Sequence, residues 1–260
     1  MRYPQWPALS QSSLPAPDPP GRLKRNFIRY AVRFLASCYL RVRLAGLEHV
    51  PEPPYLLCFN HPNWVDPFLI LAWWPKRHQF FIFGPKEYDM RVGWRNRVIA
   101  WGQASIPFSP AKSDLIETTK KAMGVLANGY VLGIAGEGRL SDREGAIVPL
   151  QDGAAFLALR GRVPIVPVAI IGTRWLRFGK RIRLQAGPPI ELADRRANRE
   201  GVESVLAELT AAYERLLEGV VEEPPPGPVG RWLTDLFNDR PWLTDPNWDH
   251  PPPRGGAPPR

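Results

Sequence analysis

The stretch Tyr55 to Ile70, YLLCFNHPNWVDPFLI, most constrains what this chain can fold into, because two apolar runs are joined by one short polar turn. The first run, rich in Leu, Cys and Phe, has the length of a buried strand. The second opens on Asp66 and Pro67, which read as a helix start: Asp caps the first free amides, and Pro at N1 gives up no hydrogen bond. The turn then puts His61 at a strand end and Asp66 at a helix start, within reach of a side-chain hydrogen bond. That is how a general base and its orienting carboxylate are placed. An isolated pair of this spacing would read as a cap and a turn residue, so its weight depends on the rest of the chain.

Downstream the periodicity keeps switching. Gln79–Phe83 and Ala104–Phe108 read as strands, with a helix over Tyr88–Trp101 between them. Asp114 and Glu117 predict a capping box for a helix with Leu115, Ile116, Thr119, Ala122, Met123 and Leu126 on one face and Gly129 at its end. Tyr130–Ala135 is a strand that delivers Gly136-Glu137-Gly138-Arg139. Ala154–Leu159 is helical with Gly161 as the stop, Ile165–Ile171 is the most apolar strand, and Arg181–Gln185 alternates as an edge strand would. Val205, Leu206, Leu209, Tyr213, Leu216, Leu217 and Val220 mark a long amphipathic helix. The alternation of strands and helices predicts an α/β fold with a mixed, largely parallel sheet flanked by helices.

The ends differ in composition from this middle. Residues 1–20 are broken by prolines and lack the continuous apolar core of a signal peptide, so they read as a disordered arm. Residues 21–43 contain an amphipathic helix, RLKRNFIRYAVRFLASCYL. At about 100° per residue, Arg22, Arg25, Arg29 and Arg33 fall within an arc of roughly 80°, with Leu23, Phe27, Tyr30, Phe34 and Cys38 on another side. Such a helix can lie in the interface of an anionic membrane; the plainer alternative is a surface helix whose arginines meet water. No stretch of eighteen or more apolar residues suggests a spanning helix. The main domain is expected over 44–222. Residues 223–260 form a Pro- and Trp-rich tail, read as too irregular for a regular element, whose Trp232, Trp242 and Trp248 suit either the domain or a membrane surface and are expected on the domain, since Asp235, Asp239, Asp245 and Asp249 would be repelled by an anionic surface.

A formal charge of +9 points to an anionic partner, which composition alone leaves open among nucleic acid, an anionic membrane and a phosphorylated substrate. The positive charge is gathered in the amphipathic helix and no nucleic-acid motif is present, so no nucleic acid is expected. Cys38 and Cys58 lie far apart in apolar surroundings and predict neither a disulfide framework nor a metal site.

Taken together, His61-Pro62-Asn63-Trp64-Val65-Asp66, Gly136-Glu137-Gly138-Arg139 and Val163-Pro164-Ile165-Val166-Pro167-Val168-Ala169 come in an order and spacing that resemble the glycerolipid acyltransferase family, most of all its lysophosphatidate acyltransferases. The resemblance covers roughly residues 40 to 220. It implies transfer of a fatty acyl group from acyl-CoA or acyl-carrier protein to the hydroxyl of a lysophospholipid acceptor, with no cofactor. It also implies a peripheral protein at the cytoplasmic face of an anionic membrane surface. His61 would be the base and Asp66 its partner. Gly136, Glu137, Gly138, Arg139, Lys86 and Pro167 would line the substrate site. Backbone amides after His61 or near Gly138 would receive the oxyanion, and no Ser or Cys motif suggests a covalent acyl-enzyme.

The chain departs from the family at two places. The third motif has Ala135-Gly136 where the family has Phe-Pro, and its arginine stands at Arg139, one residue early. In the second motif, Gly102-Gln103-Ala104-Ser105-Ile106-Pro107-Phe108, Phe108 takes the place of an arginine that binds the acceptor phosphate. Arg139 with Lys86 or Lys112 could rebuild the clamp. Alternatives are a different hydroxylated lipid as acceptor, or an inactive acyltransferase-like membrane-binding protein.

Overall fold

Strand β2, Tyr55–Phe59, is buried at all five residues because it runs through the middle of the sheet and has both faces covered. The computed structural model describes Leu14 and residues 18–86, 101–108, 112–138, 140–141, 143–192 and 195–236. In chain order the elements are α1 (Arg22–Tyr39), β1 (Leu40–Ala45), β2, α2 (Asp66–Trp73), β3 (Phe80–Lys86), β4 (Ser105–Phe108), α3 (Lys112–Ala127), β5 (Val131–Ala135), α4 (Asp152–Gly161), β6 (Ile165–Ile171), β7 (Lys180–Ala186), α5 (Arg199–Leu216) and α6 (Pro228–Asp235). The predicted helix at 88–101 lies almost wholly outside the described residues.

The strands form one sheet in the order β1-β7-β6-β2-β5-β3-β4. Every neighbouring pair is parallel except β6 with β7. The mixed, largely parallel α/β architecture is therefore as expected. Side chains alternate across β2: Leu56 and Cys58 enter the core shared with α3, α4 and α5, while Tyr55, Leu57 and Phe59 enter the one shared with α2. Because β2, β5 and β6 are parallel neighbours, the loops that follow them gather at one end of the sheet.

Several local expectations are corrected. β7 is not an edge strand: it lies between β1 and β6. Its alternation arises because Ile182, Leu184 and Ala186 face the core while Arg181 and Arg183 stay exposed, and one covered face is all that alternation reports. α3 starts before Asp114, so Asp114 and Glu117 stand inside the helix rather than boxing its start; Ile116 is exposed, and Thr118, Ala122, Val125 and Leu126 take the inner face. The tail is not wholly irregular, since Pro at N1 starts the short helix α6. Trp232 on that helix is 62% exposed rather than packed back, and Trp242 and Trp248 lie outside the described residues.

α1 is amphipathic as expected, with its apolar side outward. Leu23, Phe27, Tyr30, Phe34 and Leu35 are exposed. Arg25 donates to Gln79, and Arg29 donates to the carbonyls of Leu71 and Trp74 at the C-terminal end of α2. Those carbonyls have no partner within the helix and carry its negative dipole end, so a guanidinium is a favourable partner for them. The arginines that looked free to meet phospholipid thus partly serve to hold α1 on the domain.

Candidate active site

His61 stands just beyond β2, where the strand has left the sheet and the chain turns into α2. Its Nδ1 lies 2.9 Å from Asp66 Oδ2. Asp66 is fully buried, and the same oxygen accepts the Asn63 backbone N–H at 2.7 Å. Asp66 is not the N-cap of α2. It is the first helical residue, Val65 occupies the cap, and the Asp66 carboxylate turns back into the His61 loop instead of binding its own helix. The imidazole is one-fifth exposed, and Nδ1 is the ring nitrogen that faces Asp66.

Three elements fix this turn. Asn60 spans to β6, donating through Nδ2 to the Ile170 carbonyl at 3.0 Å and accepting the Ile170 N–H at 2.7 Å, so β2 stays tied to β6 where regular pairing stops. Glu137, in the loop after β5, accepts the His61 N–H at 3.2 Å with one oxygen and the Val148 N–H at 3.1 Å with the other. Ser141 N–H donates to the His61 carbonyl at 2.7 Å. From the far end of the chain, α6 accepts Trp64 Nε1–H at the Leu233 carbonyl, 3.0 Å away, and Asn63 Nδ2 at the Thr234 carbonyl, 3.4 Å away.

Burial raises the Glu137 carboxyl above its usual range, opposed by the two amides it accepts from and by nearby His61. Its oxygens are committed to the backbone, so in this structure Glu137 fastens the two motif loops together. Gly136 is committed too: a Cβ there would lie 2.7 Å from Cys58 Sγ and 2.9 Å from Leu150 Cδ2. Gly138 is exposed at φ +65°, a conformation that suits glycine. Pro167 lies within β6, level with Cys58. Lys86 and Phe108 are register partners at the end of β3 and β4. Their side chains, that of Lys112, and the whole of Arg139 lie outside the described residues.

The amides expected to hold an oxyanion are mostly taken. Those of His61, Asn63, Gly138 and Ser141 bind Glu137, Asp66, Ala135 and His61 respectively. Neither nucleophile candidate nearby is free for covalent chemistry. Cys58 is buried, with its thiol pushed up to about 12, and the Ser141 hydroxyl is turned to the Arg143 carbonyl at 2.9 Å. Among the described residues no group of three or more His, Cys, Asp or Glu is placed to hold a metal ion. Asn60, Asn63, Trp64, Ser141 and Thr234 were not singled out from sequence; a pair of Asn residues flanking His61 is the signal that could have marked two of them.

The chain is similar to known acyltransferases. The family model described as Acyltransferase matches residues 41–171, half of the chain, and includes β2, the His61 turn, β5 and β6. A 1-acyl-sn-glycerol-3-phosphate acyltransferase of Saccharomyces cerevisiae is 27% identical over 53% of the chain and 45% of its own length. The chloroplastic 1-acyl-sn-glycerol-3-phosphate acyltransferase BAT2 of Brassica napus is 24% identical over 58% of the chain and 44% of its own length. The matched region thus spans a little under half the length of these curated relatives. The crystal structure of the 1-acyl-sn-glycerophosphate (LPA) acyltransferase PlsC from Thermotoga maritima shares the fold, with a TM-score of 0.55 and 20% identity over 77% of this chain and 81% of that one. From its motifs, and from a family model that spans the strands and loops around His61, the chain belongs to the acyltransferase family.

Proposed function

We propose that this protein transfers a fatty acyl group from acyl-CoA or acyl-carrier protein to the hydroxyl of a lysophospholipid, foremost 1-acylglycerol-3-phosphate, giving phosphatidate. The observation that carries the reading is His61 held by a buried Asp66 at the end of β2. His61 Nε2 takes the proton of the acceptor hydroxyl as its oxygen attacks the thioester carbonyl carbon. The tetrahedral intermediate collapses, the carbon–sulfur bond breaks, and the imidazolium returns the proton to the departing thiolate. Asp66 fixes the tautomer and stabilises the imidazolium between these steps, and general-base help of this kind is worth about 10² to 10⁴ in rate. With Cys58 and Ser141 committed elsewhere, direct transfer is the economical route.

The relatives' names support the choice of acceptor. Phe108, where the family has a phosphate-binding arginine, favours a second reading, an acceptor lipid with less charge at that position. The outward apolar face of α1, with its neighbouring arginines, supports a peripheral position on an anionic bilayer; its cytoplasmic face is the one that the resemblance implies, and among the described residues no helix is long and apolar enough to cross a membrane. A panel of lysophosphatidate, other lysophospholipids, monoacylglycerol and long-chain alcohols, offered with one long-chain acyl-CoA and resolved by mass spectrometry, tests the assignment. Phosphatidate should dominate. A preference for uncharged acceptors would establish the second reading instead.

A further inference from the structure

The loop after β6 contains two consecutive residues with buried side-chain polar atoms that have no hydrogen-bond partner among the described residues. Thr173 is fully buried and its Oγ1 has no hydrogen-bond partner. Arg174 is 5% exposed, and its Nε and Nη1 have none either. The carboxylate of Glu222 stands 3.6 Å from Arg174 Nε, too far for a hydrogen bond, and the guanidinium lies over the Trp175 ring at 4.7 Å. A buried donor left unmade carries the full cost of its desolvation, so such groups in a native chain call for an explanation, and a ligand that completes them is one.

The loop is at the right end of the sheet. Phe59 of β2 is paired with Val168 of β6, and Asn60 clasps Ile170, so Thr173 and Arg174 follow β6 on the same side that His61 follows β2. Two further ties hold the loop there. Gly172 N–H donates to the buried Glu144, and Leu176 N–H donates at 2.9 Å to Thr234 Oγ1, on the residue whose carbonyl accepts Asn63. The neighbouring cations Lys180 and Arg177 are both taken by Glu223. Arg174 is the cation of this loop whose buried donors lack a hydrogen-bond partner among the described residues. A phosphate suits it in charge and in number of acceptors, and the Thr173 hydroxyl adds a third donor.

We propose that Thr173 and Arg174 form a phosphate-binding subsite on the β6 side of His61, serving either the headgroup of the acceptor lipid or a phosphate of the acyl donor. The subsite lies across β2 from the loop after β5, where the third motif is found. The proposal rests on the acyltransferase reading, and its test separates the two.

The test compares wild type, Arg174→Gln and Thr173→Val as full chains, by kinetics and by calorimetric titration with glycerol 3-phosphate and with CoA. Arg174→Gln should raise KM about tenfold or more for one substrate, with kcat little changed. A rise for lysophosphatidate, with weaker glycerol 3-phosphate binding, assigns the subsite to the headgroup. A rise for acyl-CoA, with weaker CoA binding and no change on an acyl-pantetheine lacking phosphate, assigns it to the donor. Thr173→Val should raise the same KM severalfold, and it decides the matter if Arg174→Gln fails to fold. Binding that depends on Arg174 in a protein that transfers no acyl group would keep the subsite and overturn the reaction. Unchanged KM values and binding in the folded variants, with a lower melting temperature for Arg174→Gln, would make Arg174 structural and overturn the subsite.

Discussion

Glu137 accepts the backbone N–H of His61 at 3.2 Å, so the loop after β5 sets the position of the loop after β2. Glu137→Gln keeps the volume but offers one acceptor where two amides, those of His61 and Val148, need one each. A buried amide left unpaired costs about 1–3 kcal/mol. The variant should melt lower by a corresponding amount and transfer acyl groups at least about tenfold more slowly, with the fall in kcat rather than in KM. Full activity would mean that this tie is dispensable to the His61 turn.

Thr234→Val tests whether α6 braces the site. The substitution removes the acceptor of the Leu176 N–H and leaves that amide buried without a partner. A loss of about 1–2 kcal/mol in stability is expected. Because α6 also holds Trp64 and Asn63, a several-fold lower kcat should accompany it. A stability loss with unchanged kcat would confine α6 to supporting the fold.

The two sides of α1 should separate in experiment. Phe27→Ser with Phe34→Ser alters the outward face and should weaken flotation with anionic liposomes strongly, since each buried Phe is worth roughly 1.5–3 kcal/mol, while the melting temperature hardly moves. Arg29→Gln alters the inward side, where Leu71 and Trp74 carbonyls receive the guanidinium, and should lower the melting temperature. Unchanged flotation of the double variant would leave α1 as a surface helix with no lipid to meet.

The parts of the fold legible in sequence are those that local chemistry decides. β6 reads correctly from Ile165 to Ile171 because a strand buried on both faces must be apolar throughout. The closeness of His61 and Asp66 is legible because one short turn separates them. The orientation of α1 was not legible, since amphipathicity marks two sides without telling which meets the domain; the free carbonyls of α2 decide that. Nor was the bracing of the site, because Asn60 finds its partner 110 residues away and Asn63 finds its own 171 residues away. Asp66 was misread as a cap for a related reason: Asp is suited to cap a helix, and here a histidine and an amide compete for the same carboxylate.

The most direct test of His61 and Asp66 as the catalytic pair is the rate of acyl transfer from a long-chain acyl-CoA to lysophosphatidate by His61→Ala and Asp66→Asn, each checked for a wild-type melting profile. Asparagine can still accept the Nδ1–H of His61 and the Asn63 amide through one oxygen and removes the charge that stabilises the imidazolium, while its NH2 takes the place of the buried, unpartnered Oδ1, which is why the melting profile is checked. His61→Ala should lose about 10²-fold or more, and Asp66→Asn at least about tenfold, in kcat. Near-normal transfer by either folded variant would contradict the account.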